Sequence, residues 1–211
     1  MQFDLNYFEN YQYIIGCDEV GRGPLAGPVV GCAVKINRDA LSKLTELGLT
    51  DSKKLSDKKR ADIIKKLQIK FLLNKKVNMP DFSFCLWEHS PIEIDEMNIL
   101  QASLSCMSKC ASTLMEESCI TLIDGNKEFK EFTHPQAAIV KGDSKSLAIG
   151  LASVIAKVYR DNLMKEYAEK FPGYGLEKHA GYPTKFHKEA IKNLGITPIH
   201  RKTFKGVKEF I

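Results

Sequence analysis

The sequence has no apolar run approaching the roughly 18 residues that a membrane-spanning helix needs, so we expect no membrane segment. Its first residues, Met-Gln-Phe-Asp-Leu-Asn, lack the basic start and apolar stretch of a secretory signal, which favours a cytoplasmic protein. Six cysteines among 211 residues are too few for a disulfide scaffold, and a reducing cytosol would keep them as thiols. No repeat or low-complexity tract occurs. We therefore expect one ordinary globular domain over residues 1–211, present as a monomer.

The charge of the chain is distributed unevenly. Its net charge is +5, but residues 51–76 hold ten Lys or Arg against three acids, and residues 178–211 hold eight against two. The remainder of the chain is therefore net acidic. Two basic blocks favour a surface that binds a polyanion, while the alternative for either block alone is a solvated helix face.

Strand and helix patterns are interleaved along the chain, which favours an α/β or α+β domain around a mixed sheet. Runs rich in β-branched residues predict strands over 12–19, 29–36, 119–124 and 137–140, with one more inside 71–86. Apolar residues spaced three or four apart predict helices over 57–70, 91–117, 146–170 and 184–194. Ser90-Pro91 starts the second helix, and Thr184 and Gly195 bound the last.

Four acidic residues stand at or just beyond the ends of predicted strands: Asp18, Glu19, Asp124 and Asp143. Converging carboxylates repel one another unless a cation neutralises them, and an all-oxygen ligand set selects Mg²⁺ or Mn²⁺ over zinc. Two such ions can activate a water and stabilise the leaving oxygen in an attack on a phosphodiester. The alternative for each acid alone is a turn or capping residue.

Asp18 and Glu19 are adjacent, and neighbouring side chains on a regular strand point to opposite faces. Both can serve one metal centre only if the strand bulges or ends there, or if one residue contributes its backbone carbonyl. We predict that Asp18 lies between the metal ions and that Glu19 is more peripheral.

A glycine-rich loop follows these acids, and only Arg22 breaks its neutrality. Backbone N–H groups in such a loop can approach a phosphate or a sugar closely, because no side chain intervenes. The alternative is a tight connection between two strands. A dinucleotide fingerprint is excluded, since Pro24 interrupts the glycine spacing and a predicted strand follows instead of a helix.

Residues 16–28 closely resemble the first motif of the ribonuclease HII family, with Asp-Glu-x-Gly-Arg-Gly at 18–23. Four further stretches resemble motifs of that family and occur in the family's order. They are Asp-Ser-Lys-Lys-Leu at 51–55, Asp-Gly at 124–125 with Lys-Gly-Asp at 141–143, His-x-Gly-Tyr-x-Thr at 179–184, and His-Arg-Lys-Thr-Phe at 200–204. The resemblance spans roughly residues 12–208.

The resemblance implies a ribonuclease H-like α/β fold, with a mixed central sheet flanked by helices. It also implies a C-terminal helical part, from about residue 171 to 211, that binds substrate. The implied activity is an endonuclease that cuts RNA–DNA hybrids, and cuts 5′ to single ribonucleotides in duplex DNA, as in ribonucleotide excision repair and DNA replication. Two Mg²⁺ or Mn²⁺ ions would act on the four acids, leaving 5′-phosphate and 3′-hydroxyl ends.

The same resemblance implies contacts with nucleic acid. The loop of Gly21, Arg22 and Gly23 would contact the ribonucleotide and its 2′-hydroxyl, and Tyr182 would stack on the sugar at the RNA–DNA junction. Contacts with backbone phosphates are expected from Ser52, Lys53, Lys54, Arg201 and Lys202.

Two alternatives stay open at this point. Ribonuclease HIII is a related enzyme, but that family usually has Gly-Lys-Gly in the loop and an added N-terminal domain. A non-catalytic hybrid-binding module is the second, although unneeded acids would only repel a polyanion. The final residues, 207–211, leave a contact with a replication clamp open.

Overall fold

Two strands that are almost entirely buried form the centre of the protein, whose computed structural model describes residues 2–49 and 55–211. The strands of the described residues are β1 (Tyr13–Val20), β2 (Val29–Ile36), β3 (Val77–Asn78), β4 (Phe82–His89), β5 (Cys119–Asp124) and β6 (Gln136–Ile139). The α-helices are α1 (Gln2–Tyr7), α2 (Ala40–Glu46), α3 (Asp57–Lys66), α4 (Pro91–Met97), α5 (Ile99–Leu114), α6 (Leu147–Lys170), α7 (Leu176–His179) and α8 (Lys185–Leu194).

The strands form one mixed sheet in the order β3-β4-β2-β1-β5-β6. The meander of β1, β2, β4 and β3 is antiparallel, whereas β5 pairs in parallel with both β1 and β6. The predicted mixed sheet is therefore confirmed, with strand positions close to those expected. Parallel pairing of β1 and β5 brings the carboxyl ends of both strands to the same edge of the sheet.

Helices cover both faces of the sheet. The alternation of β1 places Ile14 in a cluster with α6 on one face, and Ile15 and Cys17 in a cluster with α5 on the other. Gly16 lies under α6, where an added Cβ would overlap the backbone of Ala148 and Ile149. This close approach fixes α6 over β1.

All six cysteines are buried free thiols, as expected.

The C-terminal residues form a small helical unit with its own core. That core joins Tyr174, Leu176 and Ile191 to Leu25 and Ala26, which belong to the glycine-rich loop. Residues 199–201 also pair with this loop, because the Gly27 N–H donates to the Ile199 carbonyl at 2.8 Å. The unit is therefore attached to the sheet through the loop that follows β1.

No helix within residues 2–49 and 55–211 is both long and apolar enough to cross a membrane.

The single helix predicted over residues 91–117 is wrong, because the chain breaks at Asn98 into α4 and α5. Asn98 has φ +67°, and its side-chain oxygen accepts from the N–H groups of Leu100 and Gln101. Apolar spacing continues through the break, so periodicity did not reveal it. The predicted start is confirmed: Ser90 caps α4 in a capping box with Glu93, and Pro91 occupies the first turn.

Three short helices were not predicted, namely α1, α2 and α7. Each spans two turns or fewer, too short for a spacing of three and four to stand out. The C-terminal helix α8 is confirmed with both of its ends, since the Thr184 side chain accepts from the His187 N–H and Gly195 follows the last turn with φ +80°.

Replacing Asn98 with Ala should lower the free energy of unfolding by about 2–3 kcal/mol, through the lost cap and the strained φ. Asn98→Gly should cost less than about 1 kcal/mol, because glycine adopts this backbone conformation freely. Denaturant unfolding of both variants measures the difference. Asn193→Ala, on the exposed side of α8, is the control and should change little. Equal losses for Ala and Gly at position 98 would contradict the assignment.

Candidate active site

The first pair of acids meets because β1 and β5 end together. Cys17 of β1 lies beside Ile123 of β5 in the parallel register, so Asp18 and Asp124 are the next residues along each strand. Both therefore lie at the edge where these strands end. Asp18 is 7% exposed, and its carboxylate accepts from the Glu19 N–H at 2.8 Å and from the Ser153 hydroxyl of α6.

The fourth acid is brought to the same place by a short 3₁₀ turn, Gly142–Ser144, that follows β6. The Gly142 N–H donates to Asp124 Oδ1 at 2.6 Å, and the Asp143 N–H donates to the same oxygen at 3.4 Å. A Cβ at Gly142 would lie 2.6 Å from Ile149 Cδ1 and 3.3 Å from Asp124 Oδ1, so glycine leaves room for this close approach. Asp143, which is 2% exposed, is the middle residue of this turn, so its backbone lies beside the Asp124 carboxylate.

The strand does not bulge at the adjacent residues Asp18 and Glu19. The pairing of β1 with β2 is regular through Asp18, Glu19 and Val20, and the strand ends at Val20. The two side chains therefore leave the strand on opposite faces, with Asp18 on the side of α6. Both carboxylates nevertheless interact electrostatically with the carboxylate of Asp124.

Burial and neighbouring negative charge raise the pKa values of Asp18 and Glu19. The pKa of Asp18 is raised well above its usual range, first by burial and then by the negative charges of Glu19 and Asp124. Burial also raises the pKa of Glu19, and the Arg22 guanidinium opposes this by donating to Glu19 Oε1 at 3.1 Å. Ionising both acids beside Asp124 is therefore unfavourable unless positive charge is added.

A divalent cation fits this site in charge and in donor chemistry. The donors are carboxylate oxygens, which hard cations prefer, and a cation would offset the repulsion that raises the pKa of Asp18. Across residues 2–49 and 55–211, no three His, Cys, Asp or Glu side chains are already arranged as a metal centre. The backbone nevertheless brings Asp18, Asp124 and the turn that contains Asp143 to one edge of the sheet.

The loop after β1 is held from below by Arg160, a residue of α6 that is fully buried. Its Nε donates to the Pro28 carbonyl, its Nη2 to that of Ala26, and its Nη1 to that of Ala180, at 2.9–3.0 Å. Gly21 has φ +94°, and a Cβ there would overlap the Arg160 side chain. Glycine at position 21 is thus required by both its backbone conformation and the arginine beneath it.

Arg201 holds the other half of the same loop, and the structure gives it a different role from the phosphate contact that we expected. Its side chain is fully buried. Its Nε donates to the Gly27 carbonyl at 2.9 Å, Nη1 to that of Arg22 at 3.1 Å, and Nη2 to that of Gly21 at 2.6 Å. A guanidinium engaged with three backbone carbonyls positions the loop and does not face a phosphate.

The remaining expected contacts lie at or near the surface. Gly23 and Arg22 are exposed, and Tyr182 is 43% exposed with its ring beside Gly23, where an added Cβ would lie 3.4 Å from Cε1. Lys202 is exposed, and its N–H donates to Asp95 Oδ2 at 2.8 Å. Ser52, Lys53 and Lys54 lie outside the described residues.

A groove beside Tyr182 runs between α3, α6 and α7. It is lined by four basic side chains, namely Arg60 of α3, Lys157 and Lys165 of α6, and Lys178 of α7. Three acids also line it, namely Asp57, Asp161 and Glu177, and the first two pair with Arg60 and Lys157 respectively. The first basic block therefore contributes Arg60 to a surface next to the loop.

Sequence reasoning did not identify Arg160 as a functional residue. The signal was present, because Arg160 follows Ala152 and Ala156 at helical spacing, on the side of α6 that carries small, buried residues. A charged residue on a buried side of a helix needs polar partners in the interior. What those partners are depends on the loop, which is far away in sequence.

The model of the ribonuclease HII family matches residues 15–207. Ribonuclease HII of Chloroherpeton thalassium is 44% identical over 203 residues, covering 96% of this chain and 95% of that protein. Ribonuclease HII of Francisella tularensis subsp. tularensis is also 44% identical, over 92% of this chain and 96% of that protein.

Solved structures are similar as well. Ribonuclease H2 from Pyrococcus horikoshii OT3 has a TM-score of 0.74 at 26% identity, covering 94% of this chain and 96% of that one. RNase HII from Archaeoglobus fulgidus, solved in a complex with PCNA, has a TM-score of 0.74 at 26% identity over 91% and 95% of the two chains. Bst-RNase HIII in complex with Mn²⁺ has a TM-score of 0.70 at 17% identity over 99% of this chain and 72% of that one, which shows the fold alone.

These likenesses confirm the ribonuclease H-like fold and the predicted type of enzyme. The family model and the relatives extend over nearly all of the sequence, through the acids, the loop and the C-terminal helical unit. The chain belongs to the ribonuclease HII family, whose enzymes are endoribonucleases that act on RNA–DNA hybrids.

Proposed function

We propose that this protein cuts the RNA strand of RNA–DNA hybrids and also cuts 5′ to single ribonucleotides embedded in duplex DNA. The observation that carries this proposal is the junction of two features at one edge of the sheet. Four acids gather where β1 and β5 end, and the Gly21–Gly23 loop begins two residues after Asp18–Glu19. Residues 18–23 thus contribute both to the proposed chemistry on a phosphodiester and to the recognition of the sugar beside it.

The proposed cofactors are two divalent ions, Mg²⁺ or Mn²⁺, held by the carboxylates of Asp18, Glu19, Asp124 and Asp143. Enzymes of the ribonuclease H type depend on divalent metal ions. When bound, such ions supply an activated water and stabilise the leaving oxygen, which leaves 5′-phosphate and 3′-hydroxyl ends. The protein contributes the convergence of the acids, the burial of Asp18 and the Ser153 hydroxyl that orients its carboxylate.

The loop is built to present backbone N–H groups to the substrate. Arg201 holds the carbonyls of Gly21 and Arg22 toward the interior. In a trans peptide the N–H points opposite to the carbonyl, so the N–H groups of Arg22 and Gly23 point away from Arg201. Both residues are exposed. These donors suit the 2′-hydroxyl of a ribonucleotide, the group that distinguishes RNA from DNA.

The flanking surface suits the rest of a duplex. Tyr182 presents an exposed ring beside Gly23, where it can stack on a sugar or a base. The groove between α3, α6 and α7 continues from this ring, and its lysines, Lys165 and Lys178 among them, can contact a phosphate backbone. Lys202 and residues 52–54 remain proposed contacts of the same kind.

The central experiment uses a labelled DNA duplex that holds one ribonucleotide, incubated with and without Mg²⁺. We expect a single cut 5′ to the ribonucleotide only when the metal is present. An all-DNA duplex is the substrate control, and a long RNA–DNA hybrid tests the coarser activity. Tight binding of the hybrid without cleavage in Mg²⁺ or Mn²⁺ would instead favour a non-catalytic binding module.

Asp124→Asn should lower the cleavage rate by more than about 100-fold, because loss of a metal ligand costs at least as much as loss of an outer partner. The amide keeps an oxygen that can accept from the Gly142 N–H, so the fold should persist. Single-turnover cleavage measures the rate, and binding of the duplex in Ca²⁺ checks that the site is intact.

Asp39→Asn is the matched control for Asp124→Asn. Asp39 lies after β2, at the opposite edge of the sheet, and its side chain makes no cap with α2. Its replacement should leave cleavage unchanged. A similar loss of rate for both variants would argue against a metal-binding role for Asp124.

Arg201 and Lys202 should differ although they are neighbours. Lys202→Gln should reduce duplex binding and lower the slope of log affinity against log salt by about 0.9, the loss of one phosphate contact. Arg201→Lys keeps the charge but deprives at least two carbonyls of their donors, so it should lower the free energy of unfolding by about 2–4 kcal/mol. Binding titrations at several salt concentrations and denaturant unfolding separate the two roles. An unchanged salt slope for Lys202→Gln would remove it from the interface.

A further inference from the structure

Three histidines form a cluster behind Tyr182. His187 of α8 is fully buried, and His200 is 2% exposed. Their Nε2 atoms lie 3.2 Å apart, and the ring of His179 stacks on that of His187 with centroids 4.7 Å apart. None of these rings lies among the acids of the proposed active site. The cluster therefore needs its own explanation.

The hydrogen bonds of this cluster run in one direction only. The Thr197 N–H donates to His200 Nδ1 at 2.9 Å, so this nitrogen is an acceptor and the proton of a neutral His200 lies on Nε2. That proton points at His187 Nε2, which must then be an acceptor. The remaining His187 nitrogen, Nδ1, carries the proton and donates to the Tyr182 carbonyl at 3.1 Å. A backbone N–H at one end thus sets the tautomer of both rings.

His179 completes the cluster with a fixed tautomer of its own. The Gly181 N–H donates to its Nδ1 at 3.2 Å, so its proton lies on Nε2 and is donated to the Tyr174 carbonyl at 2.9 Å. The Tyr174 ring packs against His187 and His200, and its hydroxyl donates to the Gly195 carbonyl at 2.7 Å. Every ring is therefore oriented by backbone groups of the C-terminal unit.

The turn that carries Tyr182 is strained and needs such support. Ala180 has φ +47° and Gly181 has φ +83°, so two consecutive residues lie in the left-handed region. For Ala180 this conformation is unfavourable. The Gly181 carbonyl accepts from the Leu25 N–H at 2.8 Å, which ties the turn to the glycine-rich loop. The Tyr182 carbonyl, one residue further, is held by His187.

We propose that His187 and His200 are positioning residues whose one-way hydrogen-bond chain holds the Tyr182 backbone, and thereby its ring, against Gly23 for contact with the substrate sugar. This inference rests on the proposed function, in which Tyr182 touches the nucleic acid. The chain works only while both imidazoles are neutral. A second proton on His187 would place two N–H groups face to face between the Nε2 atoms, and a second proton on His200 would place its Nδ1–H against the Thr197 N–H.

The surroundings keep both rings neutral. Burial, followed by the neighbouring imidazole, lowers the pKa of His200 to about 4, and burial also lowers the pKa of His187. The titratable and charged groups that face the pair come from several elements. They are Tyr174 from the turn after α6, His179 from α7, and, lining one groove with His200, Asp95 and Glu96 from α4 with the neighbouring Lys202.

The tautomers can be measured without any assay of cleavage. Nitrogen-15 NMR of the histidine side chains at neutral pH should show His187 protonated on Nδ1, and His179 and His200 protonated on Nε2. A His187 proton on Nε2, or a doubly protonated His187 or His200, would overturn the proposed chain. This result stands whether or not the protein proves to cut the expected substrates.

Two substitutions at position 187 separate the two ends of the chain. His187→Asn can keep a donor near the place of Nδ1, whereas His187→Gln keeps only a group near Nε2. We expect His187→Gln to lower kcat/KM on a duplex with one ribonucleotide by about five- to tenfold, mainly through KM. His187→Asn should stay within about twofold of the wild type. The opposite ranking would contradict the role of the Tyr182 carbonyl.

A double-mutant cycle distinguishes positioning from general loss of stability. If His187 acts through Tyr182, His187→Gln should have no further effect on kcat/KM in a Tyr182→Ala background. Equal effects of His187→Gln in both backgrounds would overturn the proposal. A wild-type protein that fails to cut at all would refute the proposed function, and the NMR result would still test the chain.

The pH dependence of stability gives a further test. Because the folded pKa of His200 is lowered, its neutral form contributes stability that is fully present above the unfolded pKa of about 6.5. This contribution should be lost as the pH falls toward about 4. His200→Gln keeps a neutral donor toward His187 and should flatten the fall in unfolding free energy over this range. An identical pH profile for the variant and the wild type would count against the chain.

Discussion

Six hydrogen bonds from two buried arginines hold the loop on which the rest of this site depends. Arg160 and Arg201 are fully buried, and burial lowers their pKa values to about 10 and about 9, so both remain charged at neutral pH. Burying a guanidinium is unfavourable unless its donors are satisfied. Here five of the six carbonyl acceptors belong to residues 21–28. The loop and the arginines therefore stabilise each other, and neither conformation would persist alone.

The acids at the same edge of the sheet differ from the arginines, because their like charges lie close together. The arginines find acceptors for their charge within the protein, whereas Asp18 and Glu19 are buried beside Asp124 with raised pKa values. The fold holds them there through backbone register and through the N–H groups that bind Asp124 Oδ1. Repulsion among these carboxylates destabilises the folded protein, and a bound cation would reduce that repulsion.

Much of the fold followed from the sequence because its central elements are long and regular. The strands at 13–20 and 29–36, the helix at 147–170 and the capped helix α8 have strong local signals. The break at Asn98 has none, since apolar spacing runs through it. The role of Arg201 could not be predicted from its neighbours in the sequence either. Its side chain donates to carbonyls about 180 positions earlier, whereas a basic residue next to Lys202 is typical of a charged surface. Non-local polar contacts of this kind leave no periodic pattern.

Two different kinds of contact meet in the turn before Tyr182. Arg160 holds the Ala180 carbonyl with a charged donor, whose lowered pKa still lies far above neutral pH. His187 holds the Tyr182 carbonyl with a neutral Nδ1–H donor, and a second proton on this ring would disrupt its Nε2 contact with His200. Because the Leu25 N–H binds the Gly181 carbonyl between them, a shift of the turn would move the loop as well. In the proposed complex, the surface that faces the sugar would therefore be set by backbone geometry, and the position of Tyr182 would depend on the protonation of the buried histidines.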